Sequence, residues 1–308
     1  MEAQGIAVAE AVGLPFSLKR VRVKGVLRFL PARLQIYLPP ERLLNFVTSN
    51  KPLVAPWPRL VISIGRRSVP IALAVKRVSG AFGFHIQNPK VPPQLFDLVA
   101  APVHDNFDGP NVVTTFGAVH SVTGARLAEA RGASHRAWIP CLIRVSRCCL
   151  AARALPSASG LSLPPRLAPS SPPSPGRTAA RCSSLPRAAR VPTRSPHLPP
   201  QSRTCRTSCG TAPGDNPYFA FLDLADAIVA TEDSVNMVTE AAGTGKPVYV
   251  QALKGSSRRL ARFHALMQER GATRRFEGKL ERWAYAPIND TQVVASAIRR
   301  ALRLETKA

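Results

Sequence analysis

The chain has 308 residues, 45% of them hydrophobic, which is enough for two domains with separate cores. No apolar run approaches the roughly 20 residues of a membrane-spanning helix. Aromatic residues are only 6% of the chain, too few to interleave with its cations as a single-strand nucleic-acid platform requires. The formal net charge of +24 points toward polyanions, but 13 of the 42 basic residues crowd into one segment of unusual composition.

The first residues, MEAQGIAVAEAVGL, have no basic start and carry Glu2 and Glu10. They read as an amphipathic helix closed by Gly13, not as a signal peptide, so a cytoplasmic location is expected. Leu60–Ile64 reads as a buried strand, Gly65-Arg66-Arg67-Ser68 as a turn with Ser68 as helix cap, and the following apolar stretch as a helix to Ser79 closed by Gly80. Phe82–Ile86, Phe96–Ala100 and Asn111–Thr115 are further short strands. Strand, helix, strand in this order predicts a parallel sheet, whose ligands gather beyond the carboxyl ends of its strands. Gly65 and Arg66, then His85, Gln87 and Asn88, then His104 and Asp105 all fall near such ends. Gly65 leaves room for a ligand to approach the backbone, and Arg66 suits a phosphate. The same residues also fit a surface turn with exposed cations. His120, before a helix cap at Thr123, is the weakest of the three histidines as a catalyst.

From Ala130 to Gly214 there is no Asp, Glu, Lys, Asn, Phe, Tyr or Met, while the segment holds 13 arginines, 14 of the 30 prolines and all six cysteines. Setting its arginines aside lowers the net charge from +24 to +11. The cysteines form no CxxC pair and have no histidine at zinc spacing, so no metal is expected. The composition fits either a disordered Arg/Pro/Ser-rich insert or a GC-rich gene read out of frame from near Ala130 to near Gly214. Either way, little packed structure is expected between 130 and 214.

Patterning returns at Asp215. Asp226–Ala230 reads as a strand, Thr231–Ser234 as a polar turn, the next residues to about Ala242 as a helix, and Pro247–Gln251 as a second strand. In this βαβ unit Ser234 is the N-cap, and the first-turn amides can hold a phosphate oxygen. Asp233, Asn236 and Glu240 share the helix's polar face, and Glu240 can accept hydrogen bonds from sugar hydroxyls. Glu232 and Asp233 suit the positive helix end with or without a ligand. Gly243-Thr244-Gly245-Lys246 imitates the end of a phosphate loop, but Glu240 and Pro247 stand where that loop needs Gly and Ser or Thr. Arg258–Arg270 is a basic helix stopped by Gly271, and Asp290–Leu304 a final helix packing across the two halves.

Pro56-Trp57-Pro58, Ile64-Gly65-Arg66-Arg67-Ser68, His85-Ile86-Gln87-Asn88-Pro89, His104-Asp105, Gly109-Pro110-Asn111-Val112, Asp215-Asn216-Pro217-Tyr218 and Thr231-Glu232-Asp233-Ser234, with Glu240-Ala241-Ala242 and Gly245-Lys246-Pro247, resemble the "elongated mitochondria" fission family and its bacterial members. The match covers 1–129 and 215–308. It implies an α/β fold of two Rossmann-like lobes of glycosyltransferase-B type, with a cleft between them. Glu240 matches the position that holds the ribose of a nucleotide sugar in transferases of that shape. The resemblance also implies a first strand lost before Met1 and a second lobe left incomplete by the 130–214 segment, its strand near Asp226–Ala230 short of partners.

Two functions follow as expectations. The first is nucleotide-sugar binding with glycosyl transfer, needing no cofactor. Gly65, Arg66, Gln87, Thr231, Glu232, Asp233, Ser234, Met237 and Glu240 are its binding residues, and His85, His104 and Asp105 its catalytic candidates. The second is a non-catalytic adaptor peripheral at a membrane, suited by the basic surface. No specific nucleic-acid partner is expected, and no oligomeric state follows from the sequence. If the frame reading is right, sequencing the coding DNA across codons 125–220 will recover alternating strands and helices in another frame; absence of such a pattern in both other frames refutes it.

Overall fold

The computed structural model describes residues 1–138, 147–152, 181–186, 218–253 and 257–304. Two units partition the chain, one made of Met1–Ser121 with Asn289–Ala308, the other of Val122–Ile288. The last helix therefore belongs with the first unit, not with the 215–308 segment assigned to the second lobe.

In the first unit, α1 (Glu2–Val12) ends where Gly13 turns left-handed at φ 79°. A two-stranded antiparallel ribbon, β1 (Val21–Val23) with β2 (Val47–Ser49), encloses an excursion that carries a 3-10 turn at Gly25–Phe29, α2 (Ala32–Gln35) and α3 (Pro40–Asn45). The main sheet follows: β3 (Leu60–Ile64), α4 (Val69–Ser79), β4 (Phe82–Ile86), β5 (Leu98–Pro102) and β6 (Val112–Thr115). Its strands lie in the order β3-β4-β5-β6, all parallel. Period-two alternation decides both faces. Ile62, Ile64, Phe84, Ile86, Ala100 and Val113 pack with Val8 and Val12 of α1. Val61, Val99 and Val112 pack on the opposite face with Val69, Ala72 and Leu73 of α4.

Two local expectations change. Strand β5 starts at Leu98 and not Phe96, because Phe96 closes a 3-10 turn at Pro93–Leu95 and its carbonyl accepts from Asn111 Nδ2 at 2.8 Å. Ser68 holds the N-cap position but does not cap. Its hydroxyl donates back to the carbonyls of Ile64 (3.0 Å) and Gly65 (2.9 Å), tying the turn to its strand.

The second unit runs α5 (Gly124–Trp138), β7 (Arg147–Ala152), β8 (Arg181–Pro186), α6 (Tyr218–Leu224), β9 (Ala227–Thr231), α7 (Val235–Ala242), β10 (Val248–Gln251), α8 (Arg258–Glu269) and β11 (Thr273–Arg275). Its five strands lie in the order β11-β10-β9-β7-β8, every pair parallel. Counted within the unit this is the 2-1-3-4-5 order of doubly wound sheets, which reverses direction between the first and third strands. Strand β9 is flanked by β7 and β10, so the expectation that it lacks partners is overturned: β7 and β8 come from inside the 130–214 segment, and α5 runs through Ala130 to Trp138. The rest of that segment lies outside the described residues. Leu127, Phe221, Leu222 and Ala241 pack on Ile228 and Val248. Ala227, Val229 and Tyr249 turn the other way, against Phe276 and Trp283.

The first unit is completed by α9 (Asp290–Ala301), whose Val294, Ala295 and Ile298 join the core beside α1. Its first turn is clamped to the loop after β6. Asp290 Oδ2 accepts from the amides of Phe116 (2.8 Å) and Gly117 (3.0 Å), 174 and 173 residues away along the chain. Thr291 Oγ1 accepts from the His120 amide at 2.8 Å and donates to the His120 carbonyl at 2.7 Å. Both side chains are buried. Hydrogen bonds to a charged acceptor are worth about 1.5–3 kcal/mol, and leaving buried amides unpaired costs about as much. Asp290→Ala is therefore expected to lower unfolding free energy by about 2–4 kcal/mol in denaturant titration, with Asp290→Asn recovering part of the loss.

Candidate functional site

In the second unit, β9 ends at Thr231, paired with Gln251 of β10. The exit turn holds three side chains whose roles differ. Glu232 continues the ladder, its amide donating to the Gln251 carbonyl at 3.0 Å. Its carboxylate accepts from the Leu253 amide at 3.0 Å, and its carbonyl lies 2.8 Å from His264 Nε2. Glu232 is thus engaged in stitching the exits of β9 and β10 to α8, which corrects its assignment as a ligand group. Ser234 caps α7 as expected, its Oγ accepting from the Met237 amide at 3.4 Å. The Met237 side chain is 3% exposed, so it belongs to the core and contributes only backbone here.

Thr231 Oγ1 and Asp233 Oδ1 are buried and have no hydrogen-bond partner among the described residues. Such orphans are rare in folded proteins and ask for an explanation. About two turns beyond Asp233, Glu240 is half-buried and accepts from the Tyr218 hydroxyl at 2.5 Å. That bond spans two helices, so nothing in the local sequence around either residue announces it.

The glycine turn after α7 works as structure. Gly243 stays helical, and Gly245 takes the left-handed conformation at φ 73°, where a Cβ would sit 3.1 Å from Pro287 Cγ. Lys246 Nζ donates to the carbonyls of Leu222 (2.8 Å) and Asp223, neutralising the negative end of α6. Beside it, a hydrogen bond from Arg131, with the Lys246 charge in support, holds the Asp223 carboxyl below its usual range. Burial raises the Tyr285 phenol, which donates to the Lys246 carbonyl at 2.6 Å. This lysine is therefore a helix cap and not a phosphate-loop lysine.

In the first unit, parallel pairing brings the ends of β3, β4 and β5 to one sheet edge. Gly65 is buried and left-handed at φ 81°, with Met1 Cε 3.0 Å from where a Cβ would stand. Arg66 beside it is exposed. Gln87 is also left-handed (φ 79°), and its side-chain amide donates to Gln4 Oε1 at 3.2 Å. His104 and Asp105 lie in a 3-10 turn after β5, His104 Nε2 standing 3.9 Å from Asp105 Oδ1 with both side chains nearly enclosed.

His85 is not at the edge in chemical terms. Its ring is 0% exposed, lies 5.0 Å from the Phe96 ring, and has Nδ1 2.8 Å from Ser63 Oγ. Ser63 also donates to the Phe84 carbonyl at 3.2 Å. With that single proton so placed, Nδ1–H donates to Ser63 Oγ, and Nε2 carries a buried lone pair without a partner among the described residues. Burial pushes this imidazole down to about 3. A general base must reach the proton it takes, and His85 reaches only its own core, which corrects its assignment as a catalyst. His120 is likewise buried, its backbone held by Thr291. Among the described residues no three His, Cys, Asp or Glu side chains cluster as a metal site, and no helix is long and apolar enough to cross a membrane.

The family model for mitochondrial fission ELM1 matches residues 1–141 and 199–302. The unmatched stretch falls wholly inside the acid-free segment. The chain is 30% identical over 291 residues to the mitochondrial fission protein ELM1 of Arabidopsis thaliana, covering 80% of this chain and 64% of that protein. It thus spans under two thirds of that relative's length. It is 34% identical over 94 residues to an uncharacterized protein of Rickettsia prowazekii (strain Madrid E), covering 29% of this chain and 27% of the other. Among solved structures it aligns with a UDP-GlcNAc 2-epimerase from Neisseria meningitidis bound to UDP-GlcNAc, at 13% identity and TM-score 0.43 over 95% of this chain and 76% of that one. A second alignment, with the spinosyn forosaminyltransferase SpnP, has 12% identity and TM-score 0.39 over 80% of this chain and 67% of that one.

The depressed histidine sets a pH dependence. The folded state holds His85 neutral while the unfolded chain protonates near pH 6.5, so the unfolded state binds more protons below that pH and stability falls. The loss begins near pH 6.5 and continues toward pH 3 at up to about 1.4 kcal/mol per pH unit. Compared with His85→Leu across pH 8 to 4, the parent chain is expected to hold a constant stability difference above 6.5 and to lose ground steadily below it. Parallel curves would refute the assignment.

Proposed function

The chain belongs to the mitochondrial fission ELM1 family, and on that footing we propose that its second unit binds a nucleotide sugar at the carboxyl end of β9. The observation that carries this reading is the pair of orphaned buried polar atoms, Thr231 Oγ1 and Asp233 Oδ1, at a doubly wound sheet's ligand edge and directly before a capped helix. Amides of the first turn of α7, ordered by Ser234, take the phosphate oxygens. Glu240, positioned by the Tyr218 hydroxyl, takes the ribose hydroxyls. Asp233 and Thr231 meet sugar hydroxyls, because a carboxylate beside a diphosphate would repel it.

In the first unit, Arg66 offers an exposed cation to an anionic group and Gln87 a side-chain amide, while the Gly65 backbone is covered by Met1. His104 and Asp105 also stand at a strand exit, but the His104 side chain is as enclosed as that of His85, so neither histidine is proposed as a base for glycosyl transfer. The bound ligand stabilises the β11-β10-β9-β7-β8 sheet at whose edge it sits.

Thermal-shift measurements with UDP-, GDP- and CMP-sugars test the proposal. One of the three classes is expected to stabilise the chain, by about 2.7 kcal/mol at a hundredfold excess over Kd. Glu240→Ala is expected to abolish the shift, and Tyr218→Phe to weaken binding about tenfold, the cost of one charge-assisted hydrogen bond. No shift with any class, or a shift unaffected by Glu240→Ala, overturns it.

A further inference from the structure

The excursion between β1 and β2 places large apolar side chains in water beside cations. Tyr37 is 80% exposed, Val26 76% and Phe29 74%, and Leu34 and Phe46 are also exposed. Between Lys19 and Arg42 the chain carries seven cations and one acid, Glu41. Lys24, Arg28, Arg33 and Arg42 are all exposed within the same stretch.

This is not a loose loop that happens to be apolar. Its inner side is anchored: Ile36 and Leu43 are buried, and Ile36 joins the core of α4. Arg77 of α4 donates to the Ile36 carbonyl at 2.6 Å. Gln35, itself buried, donates to the carbonyls of Leu27 (3.0 Å) and Leu30 (2.8 Å), joining α2 to the 3-10 turn. The Lys24 amide donates to the Phe46 carbonyl at 2.7 Å, and the Phe46 ring lies against Gly25, joining the two ends. With the inner residues packed, the apolar tips are held outward in fixed positions, so binding something with them costs little ordering entropy.

We propose that this excursion docks on an anionic phospholipid surface. Exposed apolar groups among cations, with a single acid, match what an interfacial segment needs, apolar tips for the acyl boundary and cations for the headgroups. Arg28 shows the arrangement locally, its guanidinium 4.5 Å from the Phe29 ring centre. Single-stranded nucleic acid is a poorer match, because the aliphatic tips Val26 and Leu34 gain nothing from stacking on bases. This inference is independent of the nucleotide-sugar reading.

Co-sedimentation of the full chain with vesicles tests it. Vesicles of phosphatidylcholine with about one third phosphatidylserine are expected to carry the protein down, phosphatidylcholine vesicles are not, and raising salt to about 0.5 M should weaken the binding. The doubly substituted chains Phe29→Ser/Tyr37→Ser and Arg28→Glu/Arg33→Glu should each lose about tenfold or more in partitioning, with unchanged circular dichroism because all four side chains are exposed. Equal binding to both vesicle types, or binding untouched by the substitutions, overturns the proposal. So does self-association in sedimentation velocity, or oligonucleotide binding, that disappears with Phe29→Ser/Tyr37→Ser while vesicle binding is absent.

Discussion

Parallel strands cannot be joined by hairpins, so consecutive strands of the two parallel sheets must be joined by crossovers that return the chain to the same starting edge. That constraint organises the rest. It requires both faces of each sheet to be covered, which is why β3 to β6 alternate one apolar set toward α1 and α9 and another toward α4. It also collects every strand-to-helix turn at one edge. Gly65, Gln87, His104 and Asp105 share an edge in the first unit for this reason alone, and Thr231 to Ser234 stand at the corresponding edge of the second. The covering of the first sheet is finished late, since α9 comes from the far end of the chain. Asp290 and Thr291 decide where it lands by supplying the partners that the amides after β6 would otherwise lack.

The two edges of the second sheet hold two kinds of polar residue that composition cannot separate. Glu232 and Lys246 look like ligand groups and are consumed by backbone: one holds Leu253, the other the carbonyls that end α6. Thr231 and Asp233 look no different in sequence, yet each keeps a buried oxygen without a partner among the described residues. Desolvation already burdens those atoms in the folded chain. A ligand hydroxyl arriving there gains a hydrogen bond without displacing an existing protein partner, which is the energetic condition for a binding group.

Much of the architecture is legible in the residues. Leu60–Ile64, Val69–Ser79 and Phe82–Ile86 can be read to the residue: left-handed Gly65 ends the first, left-handed Gly80 ends the second and so sets the start of the third. Ser234 is legible as a cap for a similar reason, since its partner lies three residues away. What sequence misreads depends on long-range pairing. The tether of His85 is Ser63, on the neighbouring strand, and the depth of that strand in the sheet turns a plausible base into a neutral core residue. Met237 is named among the binding residues by its place in the first turn after Ser234, but α7 buries a stripe from Met237 through Thr239 to Ala242 that is wider than its aliphatic residues suggest. The pairing of Tyr218 with Glu240 joins helices on either side of β9 in the chain order and has no local signature.

Charge shows why distribution outranks total. A net +24 spread evenly would describe a polyanion binder. Arginines between 130 and 214 supply more than half of it, in a stretch whose middle has no counterpart in the family match. Of the cations that remain, some are spent in pairs, as Arg20 is with Glu2 and Lys76 with Asp97. Those around the β1–β2 excursion stand instead beside exposed apolar tips that the core had no need to leave in water, since the same excursion buries Ile36 and Leu43 to 4% and 1% exposure. A segment able to bury its apolar residues, yet presenting others outward among cations, spends solubility at one place on the surface, and that local arrangement carries more functional information than the sum of the charges.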